Sequence, residues 1–220
     1  ALLRDPARVE AIVSAMTEAV SVPVTAKIRA GWDDANAVEV ARALESGGAS
    51  AVTIHGRTRS DLYAHHADLD VIADVKRSVG ITVIGNGDVC DVASCDRMFE
   101  RTGCDAVMVA RGCLGNPWLF AELRAHLAGT RADVDRSPHG VRQMVLRHLA
   151  LYAESLGPQR AALEFRKHAL WYFKGSPAEP AFRALLPTLT TLEHLYEAVD
   201  TACAALRPAS LSTDARECSG

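Results

Sequence analysis

The chain has 220 residues, 49% of them hydrophobic and 23% charged, with 24 Lys and Arg against 27 Asp and Glu for a net charge of -3. That length suffices for one full domain or for a large and a small unit, and the mild acidity excludes a globally basic nucleic-acid binder. The charge is uneven, with 13 basic against 17 acidic residues over 1–130 and 11 against 10 over 131–220. The six cysteines form no CxxC pair, which suits reduced thiols in a cytoplasmic protein. No apolar run reaches membrane-spanning length.

The chain opens without methionine and enters a helix almost at once, so it reads as a portion of a longer protein. Asp5-Pro6 is an N-cap followed by proline at the first helical position, and Val9, Ile12, Val13, Met16 and Val20 recur at helical spacing. Residues 22–30 alternate as a strand, 35–46 read as a helix stopped by Gly47-Gly48, and 49–57 as a second strand. A helix over 68–78 precedes a third strand, "ITVIGNGD". A helix over 91–101 precedes a fourth strand over 105–112, and Pro117 starts another helix. Such strict alternation predicts βα units with a parallel sheet. Beyond residue 130 strands cease: helices are expected over 140–156, 159–173 and 190–205, with a disordered tail over 207–220. The expected domains are therefore 1–130, 131–206 and the tail.

In parallel βα folds ligands sit at the carboxyl ends of strands. The four ends here carry Lys27 and Arg29; His55, Gly56 and Arg57; Asn86, Gly87 and Asp88; and Ala110, Arg111 and Gly112. Turn chemistry favours Gly, Asn, Asp and Ser and does not require cations at successive ends. Lys27 reads either as a solvated strand-end lysine or as one facing an anion, and His55 either as a rim histidine or as a ligand contact. Arg111-Gly112 with Gly115-Asn116-Pro117 before a helix suggests a phosphate seat, since helix N-terminal amides attract anions. Cys90 with Cys95, or His65 with His66, lack the spacing of a four-ligand metal site. Arg160, Lys167 and Lys174, spaced seven apart and flanked by Arg166 and His168, form either a solvated basic helix face or a phosphate-binding one.

The blocks "VPVTAKIRAGWDD", "VTIHGRTRSDLY", "VIGNGDV", "TGCDAVMVARGCLGNPWLF" and "ALEFRKHALWYFKG" resemble the tRNA-dihydrouridine synthase family, in its bacterial branch, over nearly all the chain but the tail. The resemblance implies the second half of an FMN-binding (β/α)8 TIM barrel followed by a small all-α tRNA-binding domain, monomeric when complete. It implies reduction of uridine to dihydrouridine in tRNA with NADPH. Lys27 and His55 would contact the flavin ring, Asn86, Gly87 and Asp88 its ribityl and phosphate side, and Ala110 and Arg111 the phosphate. The family usually has glycine where this chain has Ala110. Arg57, Arg59, Arg160, Arg166, Lys167 and Lys174 would face tRNA. The family's catalytic cysteine would precede residue 1, so the chain alone is expected to bind FMN poorly, to lack synthase activity and to aggregate or dimerise. The residues by themselves also leave open a barrel reducing a small pyrimidine, a non-catalytic RNA-binding protein, and a phosphate-binding barrel without flavin.

Overall fold

The computed structural model describes residues 2–61 and 65–206, and the tail expected at 207–220 lies outside them. Up to Gly112 the chain forms one unit. Within it helix and strand alternate as α1 (Pro6–Ala19), β1 (Thr25–Gly31), α2 (Ala37–Ser46), β2 (Ala51–Thr58), α3 (Leu69–Ser78), β3 (Thr82–Asn86), α4 (Val92–Thr102) and β4 (Ala106–Met108). Short polar side chains set the helix starts by taking up N–H groups that the first turn leaves unpaired. Asp5 accepts from the Arg8 amide and Asp68 from those of Asp70 and Val71. Asp91 and Ser94 cap α4 reciprocally, and Gly103 ends it with φ 64°, a left-handed turn that glycine adopts without a Cβ penalty.

The four strands pair in parallel in the order β1-β2-β3-β4. Each crossover advances one strand in the same direction, and right-handed crossovers then place every connecting helix on the same face. The opposite face is left for a cleft. Register aligns Ile54 with Gly85 and Val107 on the helix side, and Arg29, His55, Asn86 and Met108 on the cleft side. Central β2 is buried along its whole length, as a doubly flanked parallel strand should be.

Among the described residues strand β1 has a single strand neighbour, and only part of the α1 stripe is covered. Val9 and Val13 are buried, whereas Ile12, Met16 and Val20 are 41%, 50% and 45% exposed. An apolar groove runs beside them, lined by Leu2, Leu3, Ala26 and Ile28 among others. Strand β4 is three residues long, shorter than the 105–112 expected, because backbone beyond Met108 leaves the ladder and enters a 3-10 turn at Arg111–Cys113.

A second unit begins at Cys113, ahead of the boundary near 130 that composition suggests. It contains α5 (Leu119–Leu127), α6 (Pro138–Leu156), α7 (Pro158–Phe173), α8 (Glu179–Leu185) and α9 (Leu192–Ala204). The early division has a packing cause. Trp118 joins the helical core with Val145, Leu149, Phe165, Phe173 and Leu195. Arg136, from the segment that composition marks as a linker, ties to Glu122 and to the Asn116 side chain. Helix α8 escapes periodicity because it has only seven residues, with Pro180 inside; it is held by Phe182, whose ring lies 4.9 Å from that of Phe173.

Phe165 is fully buried, with its ring 4.8 Å from His148 and 5.7 Å from Tyr152. Phe165→Ala is expected to destabilise the helical unit by about 3–5 kcal/mol. Urea unfolding followed by tryptophan fluorescence measures this, and a loss below about 1 kcal/mol would contradict the central place of this ring.

Candidate functional site

The carboxyl ends of all four strands converge on one cleft, lined by Lys27, Arg29, His55, Asn86, Gly87, Asp88, Val89, Met108, Ala110, Arg111 and Gly112. All seven residues expected to contact a cofactor are therefore brought together. Strand alternation aims them: Lys27 and Arg29 share the inward face of β1, His55 stands beside Arg29 across the ladder, and Asn86 beside His55. Arg29, seen at a strand end but not counted among the cofactor candidates, is one of the lining residues. Its signal was the two-residue spacing from Lys27.

The two glycines that end β3 do different work. A Cβ at Gly85 would meet the Met98 and Cys104 sulfurs at 2.7 and 3.0 Å, so Gly85 admits the helix layer rather than a ligand. Gly87 has φ 133°, and a Cβ there would lie 2.5 Å from that of Ala67. Asp88 follows with φ 53°, the one positive φ at a non-glycine residue among the described residues. This sharp exit turns its carboxylate back across the cleft floor. Asn86 is buried and donates from Nδ2 to the Met108 carbonyl at 2.8 Å, tying the ends of β3 and β4 together. Ala110 is exposed and avoids the left-handed region, so its methyl group brings no backbone strain.

Arg57 is held inside the cleft wall. The resemblance puts it where tRNA could reach, and it is only 4% exposed. Its Nη2 donates to both Asp88 carboxylate oxygens, at 2.9 and 2.7 Å, and Nη1 lies 3.3 Å from His55 Nε2. Asp88 also accepts from the Ala67 amide at 2.8 Å and lies 3.6 Å from Arg111. Burial alone would raise the Asp88 pKa, but the Ala67 N–H and the Arg57 guanidinium outweigh it and the pKa falls below the usual carboxylate value. Asp88 is thus an anion already engaged by the protein. The His55 pKa drops to about 4, first because burial disfavours the imidazolium and then because Lys27, Arg29 and Arg57 repel it. Desolvation and the charge of Arg29 lower the Lys27 pKa as well. The cleft therefore joins a neutral imidazole to a concentration of positive charge.

The remaining candidates are not among the residues that line the cleft. Arg59 is exposed, with its guanidinium 5.3 Å from the Trp32 ring centroid. In the helical unit, Arg160 pairs with Glu164 at 2.6 Å, and Arg166 donates to the Leu163 and Leu186 carbonyls. Lys167 is exposed on α7. Lys174 is exposed too and stands at the C-cap, one residue past the end of α7. Of Gly115 and Asn116, read as part of a phosphate seat, a Cβ at Gly115 would lie 2.2 Å from the Trp171 carbonyl oxygen, and Asn116 accepts from Arg136. Among the described residues no trio of His, Cys, Asp or Glu is grouped to hold a metal, and no helix is long and apolar enough to cross a membrane.

Comparison with known proteins bears on this arrangement. The family model "Dihydrouridine synthase (Dus)" matches residues 1–208. A probable tRNA-dihydrouridine synthase of Mycobacterium tuberculosis (strain CDC 1551 / Oshkosh) is 41% identical over 182 residues, covering 81% of this chain and 47% of the relative. tRNA-dihydrouridine synthase B of Pseudomonas aeruginosa PAO1 is 39% identical over 214 residues, covering 94% and 61%. The chain thus spans about half to three-fifths of the length of these curated relatives. A solved mandelate oxidase structure is similar at only 14% identity and a TM-score of 0.31, too remote to bear on the site. With a family model spanning nearly its whole length, the chain belongs to the dihydrouridine synthase family.

Proposed function

We propose that this chain carries the cofactor cleft and the RNA-facing helices of an FMN-dependent tRNA-dihydrouridine synthase. The enzyme would reduce the C5–C6 bond of uridine in tRNA with NADPH as reductant. The observation that carries this reading is the convergence of Lys27, Arg29, His55, Asn86, Gly87, Asp88 and Arg111 on one cleft, in a family whose named relatives are tRNA-dihydrouridine synthases. A half-barrel reading is supported by the singly wound strand order and by β1 and β4, each with a single strand neighbour. The relatives' greater length is consistent with it.

The residues present fit FMN. Its phosphate calls for cations and backbone amides, and Arg111 and Gly112 both line the cleft. Its ring calls for positive charge and a hydrogen-bond donor near the pyrimidine edge, which Lys27 and neutral His55 would provide. FMN, when bound, would supply the hydride for C6 of the uracil ring. Lys27 and Arg29 would stabilise negative charge in the cleft. The C5 proton would come from a group outside this chain. No described cysteine is among the residues that line the cleft, and Cys104 packs against the Gly85 backbone. The target uridine would have to leave its stack to reach the cleft.

Visible absorption after addition of FMN tests the cofactor. The chain is compared with a version extended N-terminally to the length of its relatives. Flavin held by the extended version, and more weakly by this chain, is expected; flavin held by neither would remove the cofactor from the reading.

For RNA, exposed Lys167 and Lys174 are the phosphate-facing candidates, since Arg57 is buried and Arg160 and Arg166 are engaged. Each lysine changed to Gln is expected to lower tRNA affinity across sequences and to reduce the salt dependence by about one unit of slope. Filter binding over a salt series measures this, and an unchanged slope in the double variant would exclude this face.

The depressed His55 pKa carries a stability consequence. Between about 6.5, its ordinary value, and about 4, the unfolded chain binds a proton that the folded chain does not. The contribution of His55 is therefore fully present above pH 6.5 and is lost as pH falls toward 4. Denaturation midpoints of the parent and of His55→Gln should converge over that window on acidification; parallel curves would contradict the neutral assignment.

A further inference from the structure

We infer that Arg57 is a positioning residue, linking Asp88 to His55 so that His55 is held as the neutral tautomer with its proton on Nδ1. The inference rests on the flavin reading for its purpose, but its geometry stands in the protein alone. A guanidinium only donates hydrogen bonds. With Arg57 Nη1 at 3.3 Å from His55 Nε2, that ring nitrogen is the acceptor, and the proton of a neutral imidazole belongs on Nδ1.

Arg57 can set the tautomer because it is itself held. Nη2 spans both oxygens of Asp88, and Nε donates to the His65 carbonyl. Buried, and anchored through Nη2 and Nε on two different partners, the guanidinium has little freedom to turn away from His55. Asp88 is fixed in turn by the Ala67 amide and by its backbone at φ 53°. The chain Asp88–Arg57–His55 therefore runs from the end of β3 to the middle of the cleft side of β2. A second proton on His55 would point an N–H at the Arg57 N–H, so protonation breaks the link.

The charged and titratable groups around the imidazole are Lys27 and Arg29 on β1, Arg57 on β2, and Asp88 after β3. Arg111 and His66 lie near the far side of Asp88, at 3.6 and 3.7 Å. Asp88 alone among them favours imidazolium, and Arg57 occupies its carboxylate. Removing the guanidinium would leave Asp88 with one fewer cation and His55 with one fewer repulsion, and both effects favour the charged ring. The link thus keeps His55 a neutral donor at the pH where the enzyme works.

The test reads His55 directly, without cofactor. Two-bond proton–nitrogen NMR spectra of the 15N-labelled chain, with His55→Gln to identify the signal, report the tautomer and its titration. The expected parent is neutral and Nδ1-protonated at pH 7, remaining so to below pH 5. In Arg57→Leu the titration midpoint should rise by a unit or more and the tautomer preference should be lost. Arg57→Lys keeps the charge but not the fork, and should lose the tautomer preference with a smaller midpoint shift. Should Arg57→Leu fail to fold, the parent spectrum and Arg57→Lys still decide. An Nε2-protonated or charged His55 in the parent at pH 7, or signals unmoved in a folded Arg57 variant, would overturn the inference. FMN added to the parent and Arg57→Lys then tests the purpose: about tenfold weaker binding in the variant supports it, and equal affinity overturns it. Absence of flavin binding even in the N-terminally extended parent, with the tautomer result intact, would remove the flavin reading while leaving the link.

Discussion

Parallel pairing governs where chemistry can sit in this chain. Four strands that all run the same way bring their carboxyl ends to one rim, and right-handed crossovers leave one sheet face uncovered by helix. Residues separated by as many as 85 positions, from Lys27 to Gly112, consequently line the same cleft. The hydrogen-bond ladder then sets their depth. Arg29, His55, Asn86 and Met108 stand in one row, so a register slip at any pair would rotate a polar group out of the cleft and an apolar one into it.

On that frame a small set of polar contacts closes the rim. Asp88 collects Arg57 and the Ala67 amide and lies near Arg111, while Asn86 fastens β3 to β4 through the Met108 carbonyl. Truncating one side of the buried Arg57–Asp88 pair would leave a charge in a poorly solvated place, where such losses are severe. The pair therefore belongs to the architecture of the cleft as much as to its chemistry. Its neutral neighbour His55, set among cations, shows how a parallel sheet can hold groups of similar basicity in different protonation states.

The two units are stabilised by different means. The βα unit relies on buried β2 and its helix layer, and it leaves apolar surface uncovered along α1 and β1. Sheet edges and apolar faces of this kind call for a partner surface. The helical unit closes its own core, with Phe165, Phe173, Phe182 and Leu195 fully buried and Trp118 drawn in from the segment before α5.

Much of this was legible in the amino-acid order. Alternating apolar patterns, the Asp5-Pro6 start and the Gly47-Gly48 stop located the helices and strands of the βα unit to within a few residues, because local hydrogen bonding and period alone decide them. The strand-end rule and the family motifs picked out Lys27, His55, Asn86, Gly87, Asp88, Ala110 and Arg111, and all of them line the cleft. What the order of residues could not convey was which side chains are consumed by one another. Arg57 looked like a surface cation until its burial against Asp88 was seen. Gly85 and Gly87 looked alike until one was found against Met98 and the other beside Ala67 and His55. Burial, pairing and the ends of elements depend on contacts between residues distant in sequence, so tertiary structure alone decides them.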